Sequence, residues 1–179
     1  MKCLPNYTRR GKIEQPIEPD EWVSLMDRGR FVKPRHKAFC ATLYYFSVRT
    51  SEALKALGEQ FKIGDNELFW DVGKRLKHSK RTPTLGIDRA APYVDTIAEA
   101  VEDTEPRARV FPFTRITAWR ITNRVFKTYP HFFRLSRITQ MFQDGWTINE
   151  VLNWTGLTLN SLNYYVGLAT IREKGRTIR

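Results

Sequence analysis

Apolar positions along this chain follow two different periods. Up to residue 58 they recur every three or four residues, the spacing that lines one face of a helix. Trp22, Val23, Leu25 and Met26 predict a short helix over 21–27 with Asp20 as its cap. Pro34 opens a second helix running to about Phe46, in which Phe39, Leu43 and Phe46 share a face. Thr50 or Ser51 caps a third, with Ala53, Leu54 and Leu57 facing a core and Gly58 ending it. The pattern then changes. Residues 60–63 and 67–72 are short β-rich runs around Gly64-Asp65-Asn66, a turn signal. Residues 82–87 form a third candidate strand, reached through a basic loop. Helical spacing resumes over 90–101, 116–127, 132–143, 147–154 and about 159–165. The expected fold class is α+β: mainly helical with a small antiparallel three-stranded sheet. Residues 1–17 read as a basic, proline-punctuated arm or linker, 18–168 as one domain and 169–179 as a basic tail.

Composition narrows the partner. Hydrophobic residues make up 41% and aromatics 13% of the 179 residues, enough for a real core. The 30 Lys and Arg against 19 Asp and Glu give a formal charge of +11, which favours a polyanionic partner, nucleic acid first and an anionic membrane second. Cys3 and Cys40 make neither a disulfide framework nor a cysteine-rich zinc site. His36, His78 and His131 show no metal-ligand spacing, so neither a metal nor a metal hydrolase is expected. No apolar run is long enough to span a membrane, and no membrane partner is expected.

The cations are clustered. Lys74, Arg75, Lys77, Lys80 and Arg81, with His78, crowd the segment between two candidate strands. Between residues 115 and 137 lie Arg115, Arg120, Arg124, Lys127, Arg134 and Arg137 without one acidic residue, interleaved with aromatics. Cations at this density make salt-dependent phosphate contacts; the aromatics bury the helices or stack. One turn of helix brings His131 and Arg134 onto one face. Such a pair suits a phosphodiester in transition, because Arg neutralises non-bridging oxygens while His donates or relays a proton.

Several motifs then line up in order. Phe46-Ser47-Val48-Arg49-Thr50-Ser51-Glu52-Ala53-Leu54 resembles the first arginine motif of the tyrosine recombinase (phage integrase) family, which includes viral and archaeal-type integrases. Lys77-His78-Ser79-Lys80-Arg81-Thr82-Pro83-Thr84-Leu85 resembles that family's β-hairpin with a catalytic Lys. His131 and Arg134 match its His-x-x-Arg, Trp154-Thr155-Gly156 its short helix ending in Gly, and Asn163-Tyr164-Tyr165-Val166 its closing tyrosine. The resemblance covers roughly Glu18 to Leu168. It departs from the pattern at Leu157, where the family has His or Trp, and at Ser47, where it has Gly. Lys74, Lys77 and Lys80 compete for the lysine position, with the Lys77 register fitting best. The segment after Gly156 is about one residue short, and spacing favours Tyr165 over Tyr164.

The resemblance implies a site-specific recombinase or integrase catalytic domain acting on double-stranded DNA. Arg49 and Arg134 would clamp the phosphate, Tyr165 would attack it to form a 3′-phosphotyrosyl link, Lys77 would protonate the leaving 5′-oxygen, and His131 would position or deprotonate the tyrosine. Lys74, Arg75, Lys80, Arg81, Arg120, Arg124 and Arg137 are the expected DNA contacts. No cofactor is implied. The expected assembly is a homotetramer on DNA and a monomer or weak dimer alone, in the cytoplasm of a prokaryotic host, with a viral or plasmid origin open. A non-catalytic DNA-binding relative and a type IB topoisomerase-like nicking-closing enzyme are the rival readings.

Overall fold

A computed structural model describes residues 16–75, 78–87, 91–163 and 165. The centre of the molecule is α2 (Pro34–Tyr45), in which every residue from Ala38 to Tyr45 is buried. It packs along α4 (Val94–Glu102) and α6 (Pro130–Gln143). Three proline-led helices, α1 (Pro19–Arg28), α2 and α6, start where a pyrrolidine ring presets φ and no N–H is lost. Trp22 of α1 stacks between Tyr44 at 4.2 Å and Phe126 at 5.1 Å and meets Phe133 edge-on at 5.2 Å. Aromatic pairs of this kind add about 0.5–1.5 kcal/mol each beyond the area they bury. They join α1, α2, α5 (Arg115–Phe126) and α6 into one core.

The three-stranded sheet is antiparallel, in the order β1 (Phe61–Ile63), β2 (Glu67–Trp70), β5 (Thr84–Gly86). Leu68 of β2 pairs with Ile63 on one side and Leu85 on the other. Phe61 stacks on Trp70 at 4.9 Å, and Trp70 meets Phe46 at 5.3 Å. This contact fixes the sheet against the end of α2, just before Arg49. α7 (Ile148–Thr155) is opened by a reciprocal cap in which Thr147 Oγ1 accepts from Glu150 N–H and Glu150 Oε2 accepts from Thr147 N–H. Residues 159–163 and 165 are again helical.

Four local expectations change. The basic loop is itself a hairpin, β3 (Gly73–Arg75) with β4 (His78–Arg81), although its charged residues lack an apolar alternation to announce strands. The third helix is only Thr50–Ala53. Leu57 turns extended to bridge Arg109, and Gly58 N–H donates to Ala108 O. A β-carbon at Gly58 would lie 2.9 Å from the Glu105 carbonyl, so that glycine permits a close approach and does not end the helix. α4 begins at Val94 because Pro92 disfavours helix before it and Tyr93 is left-handed, φ +75. Pro16 and Ile17, the last residues of the expected arm, are buried, and Ile17 N–H donates to Ser136 Oγ at 3.0 Å.

Candidate active site

Arg49 follows α2 by a sharp reversal. Ser47 takes φ +49, a conformation that favours glycine, and Val48 is buried beneath it. Arg49 then stands at the N-terminus of α3 (Thr50–Ala53), where its backbone N–H donates to Glu52 Oε2 at 2.6 Å. Arg134 projects from the second turn of α6 and is 0% exposed. Its Nη2 donates to the Thr155 carbonyl at the end of α7, 3.0 Å away.

Glu52 is where the cations meet. Arg81 Nη2 lies 3.1 Å from Oε1, Arg49 Nη1 3.6 Å from Oε1, and Arg134 Nη1 3.7 Å from Oε2. Three guanidinium groups on one carboxylate leave a local surplus of positive charge. The N–H groups are unevenly used. Arg49 Nη1 and Arg134 Nε and Nη1 are buried without a hydrogen-bond partner. A buried, unsatisfied donor on a cation carries a large desolvation cost and seeks an anionic acceptor. Burial lowers the Arg134 pKa to about 10, opposed by Glu52 and reinforced by Arg49, so the group is still charged at neutral pH.

His131 occupies the first turn of α6, one turn before Arg134. Partial withdrawal of the ring from water, then the charges of Arg134 and Arg49, lower its pKa below the ordinary value of 6.5. The imidazole is therefore neutral at pH 7 and able to accept a proton. Tyr165 is 6% exposed, and its phenolate would raise the Arg134 pKa, which places the ring's charge within reach of that arginine. Arg134 thus lies within electrostatic reach of Arg49, His131 and Tyr165, and the four residues come from three separate segments. Lys77 and Tyr164 lie outside the described residues, as do the side chains of Lys74, Arg75 and Lys80.

Arg81 departs from its expected place among DNA-facing residues. It is 7% exposed, with Nη1 donating to the carbonyls of Trp154 and Thr155 and Nη2 paired with Glu52. The physical reason is strand parity: Arg81, Pro83 and Leu85 alternate inward, leaving Thr82 outside. Burial of its guanidinium lowers its pKa, opposed by Glu52. Gly156, left-handed at φ +60, is pressed against it. Arg137 also turns inward, with Nη1 3.8 Å from Asp144 Oδ2 and its guanidinium over the Tyr44 ring. Leu157 is half-buried, and it contributes a backbone N–H that donates to Thr155 Oγ1 at 3.3 Å. Arg120 and Arg124 remain exposed on α5, lining a cavity of about 220 Å³ with Arg30, His36 and an apolar floor that includes Phe31 and Ile121. Its lining contains no acidic residue. Sequence reasoning did not connect Arg30 and His36 to this cleft, because they come from the loop and helix start across from α5. Among the described residues no cluster of His, Cys, Asp and Glu could hold a metal ion, and no helix is long and apolar enough to cross a membrane.

Known structures share this fold. The XerH site-specific recombinase bound to difH in a pre-cleavage complex superposes with a TM-score of 0.69 over 92% of this chain, at 16% identity. The fold is that of a tyrosine recombinase catalytic domain. XerA recombinase matches this tyrosine recombinase fold with a TM-score of 0.67 over 97% of the chain, at 16% identity. The Tn1549 transposon integrase in complex with circular intermediate DNA gives 0.64 over 87%, at 13% identity. The chain spans 51% of the XerH protein, 62% of the Tn1549 integrase and 66% of XerA. No protein-family model and no curated protein sequence matches it.

Proposed function

We propose that this domain cleaves and rejoins DNA strands through a tyrosine–phosphate link, as a site-specific recombinase or integrase. The observation that carries the reading is the pair Arg49 and Arg134, whose buried N–H groups lack acceptors while both lean on Glu52. A phosphodiester offers two non-bridging oxygens of the right charge, and a planar guanidinium matches them better than an ammonium does. Negative charge grows on those oxygens in the transition state, where fixed cations in a water-poor site act most strongly.

In the proposed step the Tyr165 hydroxyl attacks phosphorus and gives its proton to neutral His131. The bond from phosphorus to the 5′-oxygen breaks, and Lys77 protonates that oxygen. A 5′-hydroxyl from another strand then reverses the attack, so the phosphoester is conserved and no external energy source is required. The α5 cleft, with Arg30, Arg120 and Arg124, takes flanking backbone phosphates. Lys74, Arg75 and Lys80 are proposed to grip DNA from the hairpin. Several copies acting together on double-stranded DNA fit this chemistry.

The test uses a pool of duplexes of random sequence, each nicked so that the short strand freed by cleavage diffuses away. Denaturant-stable protein–DNA adduct is expected with the full chain and with Tyr164→Phe, and is expected to vanish in Tyr165→Phe. Leu157 supports a second reading, a DNA-binding relative without catalysis, because a leucine side chain offers no donor to phosphate. That reading predicts salt-dependent binding and no adduct.

A further inference from the structure

Arg81 is the group in the site that has no assigned task once it is removed from the DNA-facing surface. Its position relative to Glu52 differs from that of the other two arginines. Arg81 Nη2 holds Oε1 at 3.1 Å, a true hydrogen-bonding distance, while Arg49 and Arg134 stand off at 3.6 Å and 3.7 Å. Oε2 is held by the Arg49 backbone N–H at 2.6 Å. Among the described residues, Arg81 and a main-chain amide therefore hold the close positions of the carboxylate. The opposite edge of Arg81 is filled by the Thr155 and Trp154 carbonyls. Arg134 also donates to Thr155 O, so Arg81 and Arg134 share both anchors, a neutral carbonyl and the Glu52 carboxylate. Among the three, Arg49 and Arg134 retain buried N–H groups without an acceptor, and Arg81 does not.

We infer that Arg81 is a positioning residue that occupies Glu52, so that the N–H groups of Arg49 and Arg134 stay available to a phosphate. Without it, Glu52 would be drawn the remaining few tenths of an ångström onto the two phosphate-binding arginines and would quench them. Arg81 also supplies the positive charge that offsets Glu52, leaving the arginine pair with its full field. The inference rests on the catalytic reading above and assigns Arg81 no contact with DNA.

The experiment follows single-turnover strand cleavage by the full chain on a duplex recovered from the adduct pool. A second duplex carries a methylphosphonate at the cut position, where a methyl group replaces one non-bridging oxygen and removes the charge. Arg81→Gln is expected to slow cleavage of the normal duplex about tenfold to a hundredfold, less than the loss of a direct oxyanion donor. The deficit should shrink to about threefold or less on the methylphosphonate, because an uncharged centre depends less on guanidinium groups. DNA affinity and its salt dependence should be unchanged. An equal deficit on both duplexes overturns the inference and leaves Arg81 a packing residue. A weaker complex whose salt slope falls by about one overturns it in favour of a direct phosphate contact. If Arg81→Gln does not fold, Arg81→Lys carries the same comparison: a deficit confined to the charged duplex supports the inference, and one shared by both overturns it. A wild-type chain inert on every duplex overturns the catalytic reading itself, a failure seen before any Arg81 variant is compared.

Discussion

Gly156 lies so close to Arg81 that a β-carbon at position 156 would fall 2.7 Å from Arg81 Cδ and 2.9 Å from Nε. The same glycine closes α7 in the left-handed region at φ +60. Both demands exclude a side chain. Gly156→Ala should destabilise the fold by about 2 kcal/mol, from left-handed strain and displacement of Arg81. Thermal unfolding monitored by circular dichroism should show a Tm lower by roughly 5 °C.

Among the described residues Glu52 is the counter-charge for three arginines, and its removal leaves them facing one another. Glu52→Ala should cost about 3 kcal/mol, in the range for breaking a buried ion pair. Sulfate should then raise the melting temperature of the variant more than that of the wild type, because an anion that binds only the folded site stabilises it by mass action. Equal sulfate shifts in the two proteins would count against an anion site at Arg49 and Arg134.

Ser47 carries a backbone strain that its side chain does little to relieve, since its Oγ reaches Tyr44 O at only 3.4 Å. Ser47→Gly should stabilise the protein by about 0.5 kcal/mol, the relief of a left-handed residue less the entropy that glycine loses on folding. Ser47→Ala keeps the strain and should melt below the wild type. The two melting curves, recorded side by side, check the sign.

His131 is expected to set an acid limit on the proposed cleavage. Its pKa is lowered in the folded protein, so the neutral form is favoured there, and protons bind the unfolded chain more readily in the window just below pH 6.5. Stability from this group is therefore present above that window and is lost as pH falls through it. Cleavage rate should fall on the acid side with a midpoint below about 6.5. The acid limb should flatten in His131→Gln, which neither gains nor loses a proton there.

The α5 cleft should reveal itself through salt. Arg120→Gln and Arg124→Gln should each weaken DNA binding without sequence preference and reduce the slope of log affinity against log salt by about one. Titrations at several ionic strengths, read by fluorescence anisotropy on a labelled duplex, measure this directly. A slope unchanged by either substitution would remove the cleft from the DNA-binding surface.

Much of this architecture could be read from residue spacing, and the exceptions share a cause. Arg134 and His131 fall one turn apart, so their common helix face was plain from the chain alone. The strand 67–70 carries the alternating burial that its apolar residues announce, and Phe61 and Leu85 mark the buried positions of its neighbours. The hairpin over Gly73–Arg81 carries charge where strands usually show an apolar rhythm, and local pattern says nothing about its pairing. The inward turn of Arg81 and Arg137 has little local signal, because an arginine drawn inward looks the same in sequence as a solvated one. What distinguishes them is a partner carboxylate, Glu52 for Arg81 and, seven residues on, Asp144 for Arg137. Parity with Pro83 and Leu85 was the one local clue to Arg81. The convergence of arginines on Glu52 joins residues as far apart in sequence as Arg49 and Arg134, and only the folded chain brings it about.

The amide of Ile17, bonded to Ser136, fastens the incoming chain to α6 two residues beyond Arg134. At about 100° per residue, that fastening sits on roughly the opposite flank of the helix. Tension on residues 16–17 would therefore bear on the helix that also carries Arg134, so this hydrogen bond would couple the two as well as seam the chain.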